Sequence, residues 1–399
     1  MNTPEYPIIV LTEHFEPSTG ATAQLVTDLV ADMRQAGIPV QVLTSTPAIC
    51  GDVTEVDVLR ISKTISSHVS VLAKTVRGLH FLVVSFFWLF RNTLPGQTIL
   101  IVSNPPFIGI IGLLLKITNG VRYTFLLQDV FPRSAILTGL LPARGPAVWF
   151  WNNLISATLL HSSSVITLTT SMLSRCKADF GSSIPFHLIH NWSVIEGTEA
   201  PSRYNELSNE WGLNDLFTIQ YSGNFGRLHD LLTVLEAARL LSNERVMFVF
   251  IGDGPKLDQI RRYKAIFSMN NVMIKPFQPR SSLSKSLMAA DISLVSMIPG
   301  ADDTVAPSKL YGLLSMAKPI LLVGTNDSAL AHLIRESRCG IVVSNGDPVH
   351  FANEVRKLIR SPDDVALMGR NSRQLYINHY GRTKSTNAYI KLLQRVAMN

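Results

Sequence analysis

The sequence predicts an α/β protein with two doubly wound domains in tandem, each a parallel sheet covered by helices. Along both halves of the 399 residues, runs rich in Val, Ile and Leu alternate with segments of helical periodicity, the pattern of strands buried in parallel sheets. Apolar residues make up 46% of the chain and charged residues 16%, below the roughly 25% of average soluble domains. The chain is therefore globular rather than disordered, and its length predicts two or three domains of about 150 residues.

The first half reads as alternating strands and helices that open with a βαβ unit. Apolar runs predict strands at 7–12, 38–44, 58–62, 99–104, 123–129 and 164–169. Helical spacing predicts helices at 23–36, 67–92, 109–120, 147–163 and 171–181. A polar stretch containing Pro and Gly, at 191–210, is predicted to be the interdomain linker.

The second half repeats the alternation, with strands at 217–223, 246–254, 271–277, 292–297 and 319–325, and helices at 230–241, 255–266, 282–291, 308–317 and 383–398. We predict a first domain over 1–195, a second over 196–380, and a C-terminal helix within 381–399 that packs back toward the first domain. Ligands of such sheets bind at the carboxyl ends of the strands. The cleft between two such sheets is therefore the predicted site.

Charge and cysteine content exclude several classes of function. The net charge of +7 is spread along the chain, whereas nucleic-acid binding needs concentrated basic surface with stacking aromatics, so we expect no nucleic-acid partner. Cys50, Cys176 and Cys339 lie far apart, which argues against a thiolate zinc site and against a disulfide framework. No secretory-signal pattern is present, and the longest apolar run, 81–90, is about half of the ~20 residues that span a bilayer. We therefore expect a cytoplasmic protein.

Four groups of motifs carry the information on activity: FEPSTGATAQLVTDLVADMRQAGIPVQVLT at 15–44; IVSNPPFIGIIG at 101–112 with LLQDVFPRSAILTGLLP at 126–142; QYSGNFGRLHDLLTVLEAARLL at 220–241; and TVAPSKLYGLLSMAKPILLV at 304–323. Together they resemble family 4 of the retaining glycosyltransferases, whose GT-B fold has two Rossmann-like domains facing a central cleft. The branch most resembled makes cell-surface polysaccharides and includes L-fucosamine transferase-like proteins.

In the first domain the resemblance implies a loop near the donor diphosphate and a carboxylate near the acceptor. Gly20 and Ala21 match the diphosphate loop, where a glycine and a helix N-terminus suit a phosphate. Asp129, in a motif that also matches at Pro132 and Ser134, would orient an acceptor hydroxyl. The alternative for Asp129 is a helix cap.

In the second domain the resemblance implies the donor site. Gly223 lies in the first motif, and the family's diphosphate-binding Arg and Lys fall on Asn224 and His229, so Arg227 is the residue that could supply a charge. The glycines of Gly252-Asp253-Gly254-Pro255 read mainly as a turn. Backbone groups near Phe277 and Gln278, in KPFQP at 275–279, would receive the nucleotide base.

The PSK segment resembles the donor-binding motif most strongly. Pro307, Ser308 and Leu310 would line the donor site at a helix start, and Lys309 would add a mobile point charge with little packing role. The two glutamates of the general family fall on Thr304 and Gly312. Loss of the second glutamate removes a bidentate hydrogen bond to the nucleotide ribose.

The implied reaction moves a sugar from a nucleotide-diphospho-sugar, expected to be a UDP-sugar, to a glycan or polyprenyl-diphosphate-linked acceptor. Gly20, Arg227, Ser308 and Lys309 would stabilise the leaving diphosphate. No cofactor is implied, and no metal either, because no Asp-x-Asp triplet ends a strand and Asp302-Asp303 is a loop pair. Two alternatives remain open: a GT-B sugar-nucleotide epimerase and a non-catalytic GT-B subunit.

The segment at 67–92 combines an apolar helix with Lys74, Arg77 and Arg91. Its aromatic end, Phe86-Phe87-Trp88, is expected to enter the headgroup region of the inner face of the plasma membrane while the cations meet anionic lipid. The alternative is an ordinary core helix.

Overall fold

The computed structural model describes residues 4–18, 20–47, 57–61, 71–195 and 202–398, without the side chains of 71–75. Cys50, the side chain of Lys74 and residues 67–70 of the predicted membrane segment lie outside that range. The chain divides into two compact units. The first comprises Met1–Val194, Asp303–Ala306 and Arg382–Asn399, and the second comprises Ile195–Asp302 and Pro307–Gly381.

Seven described strands form the parallel sheet of the first unit, in the spatial order β3-β2-β1-β4-β5-β6-β7. The strands are β1 Ile8–Thr12, β2 Val40–Thr44, β3 Val58–Arg60, β4 Thr98–Val102, β5 Arg122–Leu126, β6 Ser164–Thr167 and β7 Phe186–Leu188. All five residues of β1 and all five of β4 are buried. This burial on both faces is what their unbroken apolar runs predicted.

Helices cover this sheet: α1 Ala21–Gln35, α2 Val71–Asn92, α3 Gly109–Asn119, α4 Arg133–Leu137, α5 Pro146–Leu160 and α6 Thr170–Phe180. Helix α1 buries Leu25, Leu29 and Met33 at helical spacing. Helix α3 packs against both α2 and α5.

The second unit repeats the design with six described parallel strands in the order β10-β9-β8-β11-β12-β13. The strands are β8 Phe217–Ser222, β9 Val246–Ile251, β10 Val272–Lys275, β11 Ile292–Ser296, β12 Ile320–Gly324 and β13 Gly340–Ser344. The helices are α7 Glu206–Glu210, α8 Leu232–Leu240, α9 Leu257–Ile266, α10 Arg280–Met288, α11 Lys309–Ser315, α12 Ala329–Glu336, α13 Pro348–Arg360 and α14 Pro362–His379. The predicted fold class, α/β with two Rossmann-like parallel-sheet domains, is confirmed.

The last helix, α15 Arg382–Met398, belongs to the first unit. Arg382 forms ion pairs with Asp28 at 3.3 Å and with Asp32 at 2.7 Å. Asp28 also accepts a hydrogen bond from the indole Nε1 of Trp192, at 3.1 Å, and the Trp192 ring meets the Tyr389 ring edge to face. Helix α1, the segment at 191–193 and α15 are thus joined around one buried carboxylate.

Three local expectations differ from the structure. Residues 191–193 of the predicted linker are buried in the first unit rather than exposed. Helix α11 is seven residues long, shorter than the predicted 308–317. The apolar side chains of α2 do not share one surface: Phe81 and Leu89 are core residues, Phe86 and Trp88 pack partly buried against that core, and Phe87 is 51% exposed.

Of the three aromatic residues predicted to face a membrane, Phe87 is therefore the exposed one, whereas Phe86 and Trp88 are partly covered by the first core. None of the helices in the described part of the chain is long and apolar enough to cross a membrane.

Candidate active site

Two glycine loops meet at the carboxyl edge of the second sheet, after β8 and β9. The amide of Phe225 donates to the carbonyl of Asp253 at 2.8 Å. Gly252 has φ +139°, and an added Cβ would lie 2.1 Å from the carbonyl oxygen of Gly223. Gly254 has φ +143°, and its Cβ would lie 2.4 Å from the Asn224 side-chain oxygen. The two glycines therefore do more than make a turn, because their missing side chains let the loops touch.

Lys309, the first residue of α11, extends into this edge. Its Nζ lies 3.2 Å from the ring centroid of Tyr221 and 3.4 Å from the position of a Cβ on Gly223. The Nζ is buried and has no hydrogen-bond partner in the structure. Burial lowers the pKa of Lys309 well below its usual value, so the predicted mobile point charge is wrong.

A buried ammonium without an acceptor is costly unless a ligand completes its hydrogen bonds. The aromatic ring beneath it offers only a weak cation–π attraction. The residues around Lys309 Nζ therefore fit an anionic ligand such as a phosphate oxygen.

His229 lies beside the same lysine. Its Nδ1 is 2.6 Å from the carbonyl oxygen of Ser296, and its own carbonyl accepts from the ammonium of Lys256. Burial, reinforced by the charges of Lys309 and Lys256, lowers the pKa of His229 to about 3. The ring is thus neutral, and because Nδ1 must donate to Ser296, Nε2 is left as an acceptor. His229 can receive a ligand hydroxyl, which a lysine at this position could not do.

The remaining predicted donor residues lie after the same strands. Arg227 and Asn224 are exposed on the loop after β8, and the Asn224 carbonyl accepts from the Tyr221 hydroxyl at 3.0 Å. Phe277 is 56% exposed, and its ring lies 3.3 Å from the position of a Cβ on Gly252. The side chain of Gln278 donates to Pro276 at 3.0 Å.

The residues of the PSK segment differ in exposure. Ser308 is exposed and forms no side-chain cap bond, and Pro307 is half-buried. Leu310 is a core residue whose amide donates to the Pro307 carbonyl at 2.9 Å. At Gly312, where the general family has a glutamate, an added Cβ would lie 3.6 Å from Ile195 Cδ1.

In the first unit, Asp129 follows β5 and pairs through its backbone with Val305. It lines a mainly apolar pocket of about 30 Å³ together with Phe107, Phe131 and Trp151. The Trp151 ring stacks on Phe131 at 5.5 Å and lies 4.2 Å from Phe107. Burial raises the pKa of Asp129 to about 6, within reach of general acid–base chemistry near neutral pH. The alternative of a helix cap is wrong, since Pro132 occupies the N-cap of α4.

Two further predicted features belong to the first unit. Gly20 precedes α1 with φ −64°, and an added Cβ would meet only Ser18 Oγ at 3.8 Å; Ala21 begins the helix. Asp303 is engaged by Arg133, whose Nε donates at 3.0 Å. Thr304 is fully buried. Across the described ranges, no group of three or more His, Cys, Asp or Glu side chains is placed to hold a metal ion.

Sequence reasoning missed Tyr221 and Lys256, which lie at the same sheet edge as Lys309 and His229. Tyr221 lies within a strand whose apolar run gave no functional signal. Lys256 directly follows the GDGP turn, and a basic residue next to that glycine turn was the sequence signal that could have identified it.

Comparison with protein families matches residues 204–375 to the family described as Glycosyl transferases group 1. Residues 204–375 are a glycosyltransferase group 1 domain, and the chain is a glycosyltransferase. This region contains Gly223, His229 and Lys309.

Similar proteins agree with this family. "Probable glycosyltransferase WbjE" of Pseudomonas aeruginosa is 25% identical over 71% of each chain. "Putative colanic acid biosynthesis glycosyl transferase WcaI" of Escherichia coli K12 is 27% identical over 58% of each chain. The solved structure of Anabaena HepE in complex with UDP-glucose superposes with a TM-score of 0.74 at 14% identity, covering 98% of this chain and 99% of that one. At that identity the structural likeness shows the fold alone.

Proposed function

We propose that this glycosyltransferase moves a sugar from a UDP-sugar to a glycan or polyprenyl-diphosphate-linked acceptor, with retention, in cell-surface polysaccharide biosynthesis. The proposal includes membership of family 4 and of its L-fucosamine transferase-like branch. The observation that carries it is the buried, unpartnered Nζ of Lys309. That ammonium lies beside Gly223 at the carboxyl edge of a Rossmann-like sheet, where such folds bind nucleotides.

The second unit would hold the donor. The diphosphate would accept from Lys309, with Arg227 and the exposed Ser308 as further donors and the Gly20–Ala21 helix start as a fourth. The negative charge that develops on the leaving diphosphate would be stabilised by the Lys309 ammonium in a site of low dielectric. Phe277 and the backbone near Gln278 would receive the base. The HepE structure contains UDP-glucose, which favours uridine.

The first unit would hold the acceptor. Asp129, with a pKa near 6, would accept a hydrogen bond from the acceptor hydroxyl and orient it. In a retaining transfer the leaving diphosphate oxygen can take the acceptor proton, so Asp129 acts by positioning. The aromatic side chains beside it, Phe107 and Trp151, would pack on the apolar face of a sugar ring.

A lipid-linked acceptor implies that the protein works at the cytoplasmic side of a membrane. We therefore propose a cytoplasmic protein with peripheral contact to the inner face of the plasma membrane. The expected contact segment at 67–92 contains α2, Val71–Asn92.

The lack of a carboxylate at Gly312 favours one alternative, a non-catalytic subunit. Incubating the purified chain with a labelled UDP-sugar separates the possibilities. Slow hydrolysis to free sugar supports a transferase. An epimerised nucleotide sugar without acceptor supports an epimerase, and no turnover with any donor or acceptor supports a non-catalytic subunit.

Donor identity is tested by thermal shift with UDP-, GDP- and ADP-sugars. A ligand at 100 times its Kd adds about 2.7 kcal/mol to the free energy of unfolding. We expect the shift with UDP-sugars and its loss in Lys309→Met. Equal shifts in the wild type and in this variant would contradict the donor site.

A further inference from the structure

Three helices of the first unit leave a large apolar surface uncovered. Helix α3 packs against α2 and α5, and hydrogen bonds tie the three C-terminal ends together: Asn119 donates to Phe90 O at 2.8 Å and Lys116 to His161 O at 2.7 Å. The exposed large apolar side chains on these helices form what we name the three-helix face: Val76, Leu79, Val83, Phe87, Phe90, Leu114, Ile117, Trp149, Phe150 and Leu160.

Helix α2 is apolar on its exposed side as well as on its buried side. Its inner side buries Phe81, Ser85 and Leu89. Its outer side exposes Leu79, Val83 and Phe87. A surface helix normally has a polar outer face. Trp149 is 68% exposed and Ile117 is 69% exposed, and this many exposed apolar side chains on three helices that pack in a row indicate an interaction surface.

The charged residues of the three helices have one sign. Helices α2, α3 and α5 contain no Asp or Glu, and between Asp57 and Asp179 the only acidic residue in the sequence is Asp129, which lies in the apolar pocket. Arg77, Arg91 and Lys116 are exposed on the helices, and Arg144 is exposed just before α5. The three-helix face therefore combines apolar side chains with basic residues and no acidic residue on its helices.

We propose that the three-helix face docks onto the surface of a bilayer that contains anionic lipid. Apolar side chains would enter the headgroup and acyl boundary while the arginines meet lipid phosphates. A second copy of the chain fits less well, because pairing two such faces sets like charges against each other. The proposal names a partner for the first unit. Its biological purpose, access to a lipid-linked acceptor, rests on the proposed function, whereas the docking itself does not.

Cosedimentation of the full chain with vesicles tests the docking. We expect binding to phosphatidylglycerol-containing vesicles at low salt and much weaker binding to phosphatidylcholine alone, because surface attraction is screened within about 10 Å at 0.1 M salt. Leu79→Ser/Val83→Ser/Phe87→Ser should lower the bound fraction about tenfold or more. Arg77→Gln/Arg91→Gln/Arg144→Gln should remove the preference for anionic lipid.

A matched control replaces exposed apolar residues of the second unit. Ile266→Ser/Leu367→Ser/Ile377→Ser removes side chains that are also exposed and should bind vesicles as the wild type does. Lys309→Met should likewise bind normally while losing transfer, which separates failure of docking from failure of the proposed function.

A second readout does not depend on the serine variant folding. Brominated phosphatidylglycerol should quench the tryptophan fluorescence of the wild type, and Trp149→Phe should lose a large part of that quenching. Two results would overturn the proposal: unchanged vesicle binding by a folded serine variant, or a wild-type dimer at sedimentation equilibrium that the serine variant converts to monomer.

Discussion

The ammonium of Lys309 lies over the ring of Tyr221, with 3.2 Å between Nζ and the ring centroid. The motif that contains the lysine and the strand that contains the tyrosine are far apart in the chain. The contact buries the side-chain nitrogen of Lys309, which has no hydrogen-bond partner, and this burial lowers the pKa of Lys309 well below its usual value. Its hydrogen-bonding capacity is available to an anion.

Replacing Lys309 with Met should therefore lower activity without lowering stability. The methionine keeps the apolar stem and removes a buried nitrogen that has no hydrogen-bond partner, so Tm should stay the same or rise. Loss of a charged hydrogen bond to the leaving diphosphate should cost about 2–3 kcal/mol, or roughly 30–150-fold in kcat/KM. Steady-state kinetics and a thermal melt measure the two effects.

Lys318 supplies the matched control. It is also buried, but its Nζ donates to Ala290 O at 2.6 Å and Met288 O at 3.3 Å, and burial lowers its pKa to about 8. Lys318→Met should destabilise by about 1–3 kcal/mol, since two carbonyls lose their donor, and leave kcat/KM of the folded protein unchanged. Equal loss of activity in both variants would contradict a special role for Lys309.

Asp129 should make the free energy of unfolding depend on pH. Its pKa is raised by burial to about 6, so the folded state binds more protons than the unfolded state between about pH 4 and 6. Its contribution to the free energy of unfolding is present below that window and falls, by at most about 3 kcal/mol, as pH rises through it. Asp129→Asn should flatten this slope and be at least as stable at pH 7.

The kinetic readout for Asp129 is kcat/KM against pH. Wild-type kcat/KM should fall below about pH 6, because the carboxylate proposed to orient the acceptor becomes protonated. Asp129→Asn should lower kcat/KM about 10–100-fold and abolish this fall at acid pH, the acid limb of the profile. Asp303→Asn breaks the ion pair with Arg133 and serves as control. An acid limb that survives in Asp129→Asn would assign it to another group.

The sequence predicted most of the fold because buried parallel strands are continuous apolar runs. It missed the short elements β7, α4 and α7, and it missed β13, which begins with a glycine, and the helices α12 to α14. In α13, Phe351, Val355 and Leu358 form an apolar stripe with helical spacing. The motifs contain both glycine loops and Lys309, but the burial of Lys309 could not be predicted. That burial depends on Tyr221 and Gly223, which lie far away in sequence and are brought together only by packing of the second sheet.

Transfer should proceed without a divalent cation. The Asp303 carboxylate is engaged by Arg133, and Lys309 offers a positive charge that a bound Mg²⁺ would otherwise supply to the diphosphate. We expect full activity in excess EDTA. Activity that collapses with EDTA and returns with Mg²⁺ would contradict the assignment of the leaving-group charge to protein cations; an enzyme stripped and assayed in metal-free buffer is the control.

The glycine loops should tolerate no side chain at Gly252. A Cβ there would lie 2.1 Å from the carbonyl oxygen of Gly223, at φ +139°, so backbone must move and Gly252→Ala should destabilise by about 3 kcal/mol or more. Gly346→Ala is the control. It also has positive φ, +74°, but meets nothing within 4 Å, so its cost should be about 1 kcal/mol. Chemical denaturation of the two variants measures the difference.

The same substitution should disturb the donor site, because the loop it displaces carries Gly223 against Lys309 Nζ. We expect the folded fraction of Gly252→Ala to show a raised KM for the sugar nucleotide, whereas Gly346→Ala keeps the wild-type KM. Since the proposed donor would supply the acceptor that Lys309 lacks, a loop shifted by even a fraction of an ångström should weaken donor binding more than it slows the bound complex. A Gly252→Ala variant with wild-type KM would show that the two glycine loops support the sheet edge without shaping the donor site.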